Sequence, residues 1–151
     1  GFMDKLTTTT VLVPIVDVPA ADALGLVGAN DESLALCDKA LAVEEQTNQL
    51  DPQKVLGWDA LRCKAEALIR LDRAREAVPL LERSLPFTRR MYAGDLARVR
   101  FALARALVAS GGDKARARAL ATEARQDLSA FPFLKVELAA VDRFLAATPA
   151  K

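Results

Sequence analysis

The chain has 151 residues, 52% of them hydrophobic and 27% charged, enough for one domain with a sizeable core and too apolar for a disordered tail. Twenty-one basic residues stand against twenty acidic ones, and histidine is absent. Its absence excludes His-based triads, proton shuttles and His-ligated metal sites, and no long apolar run points to a membrane span.

Gly1-Phe2, ahead of Met3, reads as a cleavage or cloning scar, and no signal-peptide pattern follows it. Thr7 to Pro19 is rich in β-branched residues and carries Pro14 and Pro19, which argue against a regular helix. An extended leader is therefore expected over residues 1–19, ahead of a helical domain over 20–151. Its Val11, Val13, Ile15 and Val16 would invite aggregation if left in solvent. They are expected to dock on a groove of this molecule or of a second copy, giving a homodimer in the latter case.

Ala20 to Val27 predicts a short helix stopped by Gly28 and Asn30. Asp31 is the expected cap of a helix from about Glu32 to Asn48. Asp51-Pro52 restarts the chain, and Val55, Trp58, Leu61, Ala65, Leu68 and Ile69 form one apolar stripe up to Leu71. After Asp72-Arg73, Ala74 to about Tyr92 is helical, with a kink or early end near Ser84 because of Pro86. Gly94-Asp95 opens Leu96–Ala109, which is apolar on most sides and therefore central. Gly111-Gly112 ends it, Asp113 caps Lys114–Ser129, and Pro132 breaks the chain again. A last helix from about Phe133 to Ala147, with Leu134, Leu138, Val141, Phe144 and Leu145, reads as a C-terminal cap.

Three segments align without gaps: Asp31 to Leu41, Arg75 to Leu85 and Ala115 to Arg125. Small residues Ser33, Ala77 and Ala117 lie 44 and 40 residues apart. Each is followed at four by Cys37, Leu81 or Ala121 and at seven by Ala40, Ser84 or Ala124. In the preceding helices, Ala65 and Leu68 match Ala104 and Leu107 at an offset of 39, so the extra glycine of Gly111-Gly112 absorbs one residue. Helix pairs with small residues at these places, and the Gly112-Asp113-Lys114-Ala115-Arg116-Ala117 turn, resemble tetratricopeptide (TPR) repeats of a long variety. The resemblance covers about residues 31–130. Asp72 stands where that family usually has glycine, and Leu68, Leu81 and Leu107 take its aromatic positions. It implies an all-α solenoid of antiparallel helix pairs, lined on its concave side by the first helix of each pair. The Ala- and Arg-rich stretch from Arg98 is similar to repeat regions beside bacterial Ser/Thr kinase domains, which implies a regulatory or docking role in signalling.

That architecture predicts a non-catalytic scaffold or adaptor that holds a partner protein or peptide. Its concave candidates are Asp59, Arg62, Glu66 and Arg70 on one helix and Arg98, Phe101, Arg105 and Val108 on the next. Of these, Arg62, Glu66, Arg98, Phe101 and Arg105 are the expected partner contacts, the arginines as donors to an acidic segment and Phe101 as apolar area. No cofactor or metal is expected. Cys37 and Cys63 are too few for a zinc site and read as small buried apolar residues of a reducing, cytoplasmic compartment rather than a bonded pair. Charge is split along the chain, a net of −7 over residues 1–60 and +8 over the rest. Such polarity suits head-to-tail association or an acidic partner. The alternative reading is nucleic-acid binding through the basic C-terminal half, with Lys114, Arg116, Arg118 and Arg125 on one helix. No helix has the basic and aromatic faces of a membrane binder.

Overall fold

A computed structural model of the chain describes residues 17–47, 58–90 and 92–150. The regular structure among them is all helical. Residues 17–26 form α1, followed by α2 (Asn30–Gln46), α3 (Trp58–Arg70), α4 (Ala74–Ser84), α5 (Ala93–Ala109), α6 (Lys114–Ser129) and α7 (Lys135–Ala147). A 3₁₀ segment, Leu85–Arg90, links α4 to α5. None of these helices is long and apolar enough to cross a membrane. From α2 onward each helix packs on its neighbour in the chain, and α3 also reaches α5.

One turn recurs three times. Between α1 and α2 the Ala29 amide donates to the Leu24 carbonyl at 3.0 Å; between α3 and α4 Arg73 donates to Leu68 at 2.8 Å; between α5 and α6 Gly112 donates to Leu107 at 2.7 Å. The residue before each donor, Gly28, Asp72 and Gly111, has φ of 80, 59 and 74° and donates three residues back. This is the Schellman ending, in which a left-handed residue satisfies the last carbonyls of a helix. Glycine adopts that conformation freely; Asp72 adopts it at a cost that a short polar side chain keeps tolerable. The turns lie 44 and 39 residues apart, while the small residues that follow them lie 44 and 40 apart, so Gly112 is the inserted residue.

The aligned positions are buried in all three pairs. Ser33, Ala77 and Ala117, then Cys37, Leu81 and Ala121, then Ala40, Ser84 and Ala124 are each 0% exposed. Small side chains there bring helices close enough that backbone carbonyls become partners. Ser33 Oγ donates to the Ala21 carbonyl at 2.8 Å, and Ser84 Oγ donates to that of Trp58 at 2.9 Å.

The same close approach overturns the reading of the cysteines. Cys37 on α2 and Cys63 on α3, with Cα atoms 5.5 Å apart, form a disulfide. Two cysteines in 151 residues carry little signal as a count. Placed at a small-residue contact of two antiparallel helices, they fall within bonding reach.

Two clusters of buried apolar residues share α3. Its Ala60, Leu61, Cys63 and Ala67 pack with Val18, Ala21, Cys37, Ala40, Leu41 and Phe87. Its Ala65 and Leu68 pack with α4, α5, α6 and Val141 of α7. Helix α5 is central as its all-round apolar pattern predicts, with Val99, Ala102, Leu103, Ala104 and Ala106 at 0% exposure. Helix α7 and the preceding Leu134 cover the far end, the helix through Leu138, Val141, Phe144 and Leu145.

Several boundaries differ from the sequence reading. Residues 17–19, expected in an extended leader, are helical, and Pro19 lies exposed within α1. Burial of Val18 and Ala21 against α2 and α3 outweighs the proline there. Helix α2 begins at Asn30 behind Ala29, which makes no side-chain cap, and Asp31 sits in the first turn, where its charge suits the helix dipole. Asp113 is the cap expected of it, accepting from the Arg116 amide at 2.9 Å. Helix α4 stops at Ser84 ahead of Pro86 and continues as the 3₁₀ segment. The expected restart at Asp51-Pro52 lies outside the described residues, as do Val11, Val13, Ile15 and Val16.

Candidate functional site

The first helix of each pair, α1, α3 and α5, contributes to one open groove of about 800 Å³, closed on the far side by the α6–α7 connection and α7. The repeat offsets put Asp22, Glu66 and Arg105 at matching positions on the three helices. All three line the groove.

Arg62 is the hub beneath it. Its side chain is wholly buried, with 0% exposure. Nε donates to Asp59 at 2.8 Å, Nη2 to Asp22 at 2.9 Å, and Nη1 to both Asp22 and Glu66. Asp22 also accepts from Arg98 at 3.3 Å, and Glu66 from Arg105 at 3.1 Å. A chain of alternating charge therefore runs Arg98, Asp22, Arg62, Glu66, Arg105 and ties α1, α3 and α5 together. Burial works against the charge of Arg62, but Glu66, Asp59 and Asp22 outweigh it and hold the guanidinium proton more tightly than usual. Arg62 is therefore no partner contact: every nitrogen is engaged and none reaches solvent. The sequence carried a signal for this, since Asp59 and Glu66 flank Arg62 at the i−3 and i+4 positions of one helix face.

The other expected contacts divide. Glu66, Arg98 and Arg105 line the groove. Phe101 is half-buried and meets Phe144 edge-on at 5.5 Å between ring centres, with the Arg105 guanidinium 5.1 Å above its ring. It is thus mainly a packing residue at the groove edge. Arg70, the last residue of α3, also lines the groove. Its Nε donates to Asn30 Oδ1 and its Nη2 to Ser33 Oγ, both at 3.1 Å. Gly25 of α1 makes room for it, because a Cβ there would overlap the guanidinium. Burial lowers the Arg70 pKa; Glu66 and Asp22 oppose that, and Arg105 and Arg62 reinforce it.

The rim is apolar. Among the described residues the large hydrophobic side chains most exposed to solvent are Leu26, Val27, Tyr92, Phe133 and Val136. Leu26, Tyr92 and Phe133 line this groove. Val136 lines a smaller hollow that shares Glu66, Arg98, Arg105, Leu128 and Glu137 with it. The sequence reading missed all of these except as parts of helix ends, because each lies in a turn or at the first or last residues of a helix, which periodicity does not address.

Basic residues of the C-terminal half are largely engaged within the fold. Arg116 pairs with Glu82, Arg125 with Asp142, and Arg100 with Glu123 and Asp127. Arg118 donates to the Leu145 and Thr148 carbonyls at the end of α7. Among the described residues no group of three or more Cys, Asp or Glu is arranged to hold a metal ion. No protein-family model, no curated protein and no solved structure matches the chain.

Proposed function

We propose that the protein is a non-catalytic interaction module that holds a segment of a partner protein in the groove formed by α1, α3, α5 and α7. The observation that carries this reading is the gathering of exposed Leu26, Tyr92, Phe133 and Val136 around one concave surface with a charged floor. Exposed large apolar side chains gathered around one hollow, rather than scattered singly, mark an interaction site. The three matching turns and nine matching buried positions support a TPR-like stack of helix pairs, in which such a groove is the expected working surface. The engaged C-terminal arginines favour this over nucleic-acid binding, which calls for unpaired cations along a stripe. A role as an adaptor, as in the signalling proteins whose repeats the sequence resembles, belongs to the same proposal.

The compartment is part of this reading as well. The expected cytoplasmic location rested on free thiols. A disulfide sealed at 0 and 1% exposure of its cysteines favours an oxidising compartment instead.

The test is selection of linear peptides from a random displayed library on the full chain and on a Tyr92→Ser/Phe133→Ser variant. Both substitutions are at exposed sites and leave the core intact. Peptides retained by the parent and lost by the variant would support the groove. Binders indifferent to both substitutions would move the interface elsewhere, and an empty selection would overturn the proposal.

A further inference from the structure

The charges lining the groove are matched on one side and unmatched on the other. Four carboxylates (Asp22, Glu66, Asp95 and Glu137) and three arginines (Arg70, Arg98 and Arg105) line it among the described residues. Asp22 is shared between Arg62 and Arg98, and Glu66 between Arg62 and Arg105. Arg70 is fixed on the α1–α2 side by Asn30 and Ser33, against Gly25. Asp95 and Glu137 form no ion pair and no side-chain hydrogen bond among the described residues.

These two unpaired carboxylates belong to one corner. A Cβ on Gly94 would lie 3.4 Å from Leu134 Cδ1, so the start of α5 meets the start of α7 there. Asp95 stands in the first turn of α5 and Glu137 in the first turn of α7. A helix N-terminus carries roughly half a positive charge, which favours each carboxylate without cancelling it. The corner therefore stays negative. Basic residues close by along the two helices do not pair with these carboxylates: Arg98 turns to Asp22 of α1, and Lys135 is not among the lining residues. Around the same contact the chain is aromatic. Tyr92, two residues before Gly94, is 85% exposed, and Phe133, one before Leu134, is 78% exposed. The Phe133 ring stands 5.7 Å from that of Phe131, which also lines the groove.

From these observations we infer that the groove takes an apolar segment of a partner chain bearing a lysine or arginine side chain, which Asp95 and Glu137 hold beside Tyr92 and Phe133. The inference rests on the groove being the binding surface. The two carboxylates accept from the cation, and the aromatic faces suit both its charge and its hydrocarbon stem. Arg98 and Arg105 each give Nη2 to Asp22 or Glu66 and keep Nη1 to donate to backbone carbonyls of the segment.

Two peptide libraries of equal length, one complete and one built without Lys and Arg, separate this inference from the reading beneath it. Groove binders are those lost on Tyr92→Ser/Phe133→Ser. Selection on the full chain from the complete library is expected to enrich groove binders with a base beside apolar residues. Replacing that base by glutamine is expected to weaken binding at least about tenfold, the scale of one charge-assisted hydrogen bond. The same exchange should have no effect on an Asp95→Asn/Glu137→Gln variant, which removes two unpaired charges and leaves the core intact. An Asp31→Asn/Glu32→Gln variant removes two charges from the first turn of α2, outside the groove lining, and should keep the full preference. Groove binders of equal affinity from the base-free library, a preference that survives Asp95→Asn/Glu137→Gln, or equal loss in both variants would overturn the inference and leave the groove standing. No groove binders from either library would overturn both.

Discussion

Replacing Arg62 by methionine keeps the length of the side chain but strands Asp22 and Glu66 around an apolar stub. Removing one partner from a buried ion network costs about 3–5 kcal/mol. The low end, about 3 kcal/mol, is expected here because Asp22 and Asp59 retain some access to water. Urea unfolding of Arg62→Met reads this directly, and a loss below about 1 kcal/mol, the scale of a surface pair, would contradict the hub role. Glu44 offers a second test. It is 4% exposed, with one carboxylate oxygen unpartnered among the described residues. Burial, helped by the Asp59 charge, pushes its pKa from 4.5 up to about 7. The fold therefore binds this proton more tightly than the unfolded chain does. The contribution is complete below about pH 4.5 and lost as pH rises through about 7. Stability measured at pH 5, 6 and 7 should fall more steeply for the parent than for Glu44→Gln; parallel trends would exclude Glu44 as the source. In the sequence Arg62 is marked only by the flanking Asp59 and Glu66, and Glu44 by nothing. A charged helical residue looks solvent-facing until the helices on both sides of it are known, and α3 buries Arg62 along with Ala60, Leu61, Cys63, Ala65, Ala67 and Leu68.

At the scale of elements, the α2–α3 disulfide closes a loop across 26 positions of sequence. Loop-closure entropy for that length is worth about 3.5 kcal/mol. The Cys37→Ala/Cys63→Ala variant, or the parent under a strong dithiol reductant, is expected to unfold at lower urea by about that amount. An unchanged midpoint after reduction, with free thiols confirmed by titration, would mean that packing alone fixes α2 on α3. Helix ends were the most legible elements, because Gly28, Gly111 and Asp113 act through local backbone chemistry that a sequence displays. Asp72 shows the limit of that legibility. It holds the same left-handed place as the two glycines, and only the alignment of the pairs, not its residue type, points to it. The extent of α1 was illegible for the opposite reason. Pro19 speaks locally against a helix, and the burial of Val18 and Ala21 that overrides it is a tertiary fact.

Across the whole molecule, part of the polarity between an acidic first part and a basic remainder is met internally. Asp22, Asp38 and Asp59 reach across it to Arg62, Lys64 and Arg98. Reversing groove charges tests the surface only if the hub is spared. Arg98→Glu/Arg105→Glu changes two partly exposed residues whose pairs contribute at most about 1 kcal/mol each, so the fold should persist. Binding of the linear peptides selected on the parent should weaken. A triple variant that included Arg62 would unfold and say nothing about the groove. Intact binding by the folded double variant would place the binding surface away from Arg98 and Arg105.

The threefold Schellman turn has a consequence for how such a chain can change in length. Each helix pair turns within itself on the same hydrogen-bonded signal and buries the same positions on its second helix, so the pairs are alike in kind. The single-residue insertion at Gly112 is absorbed within one turn and leaves Ala117, Ala121 and Ala124 at 0% exposure. A chain built this way can gain or lose a whole helix pair at a junction without redesigning its interior. Its groove would then lengthen or shorten in steps, with α7 sealing whichever unit comes last.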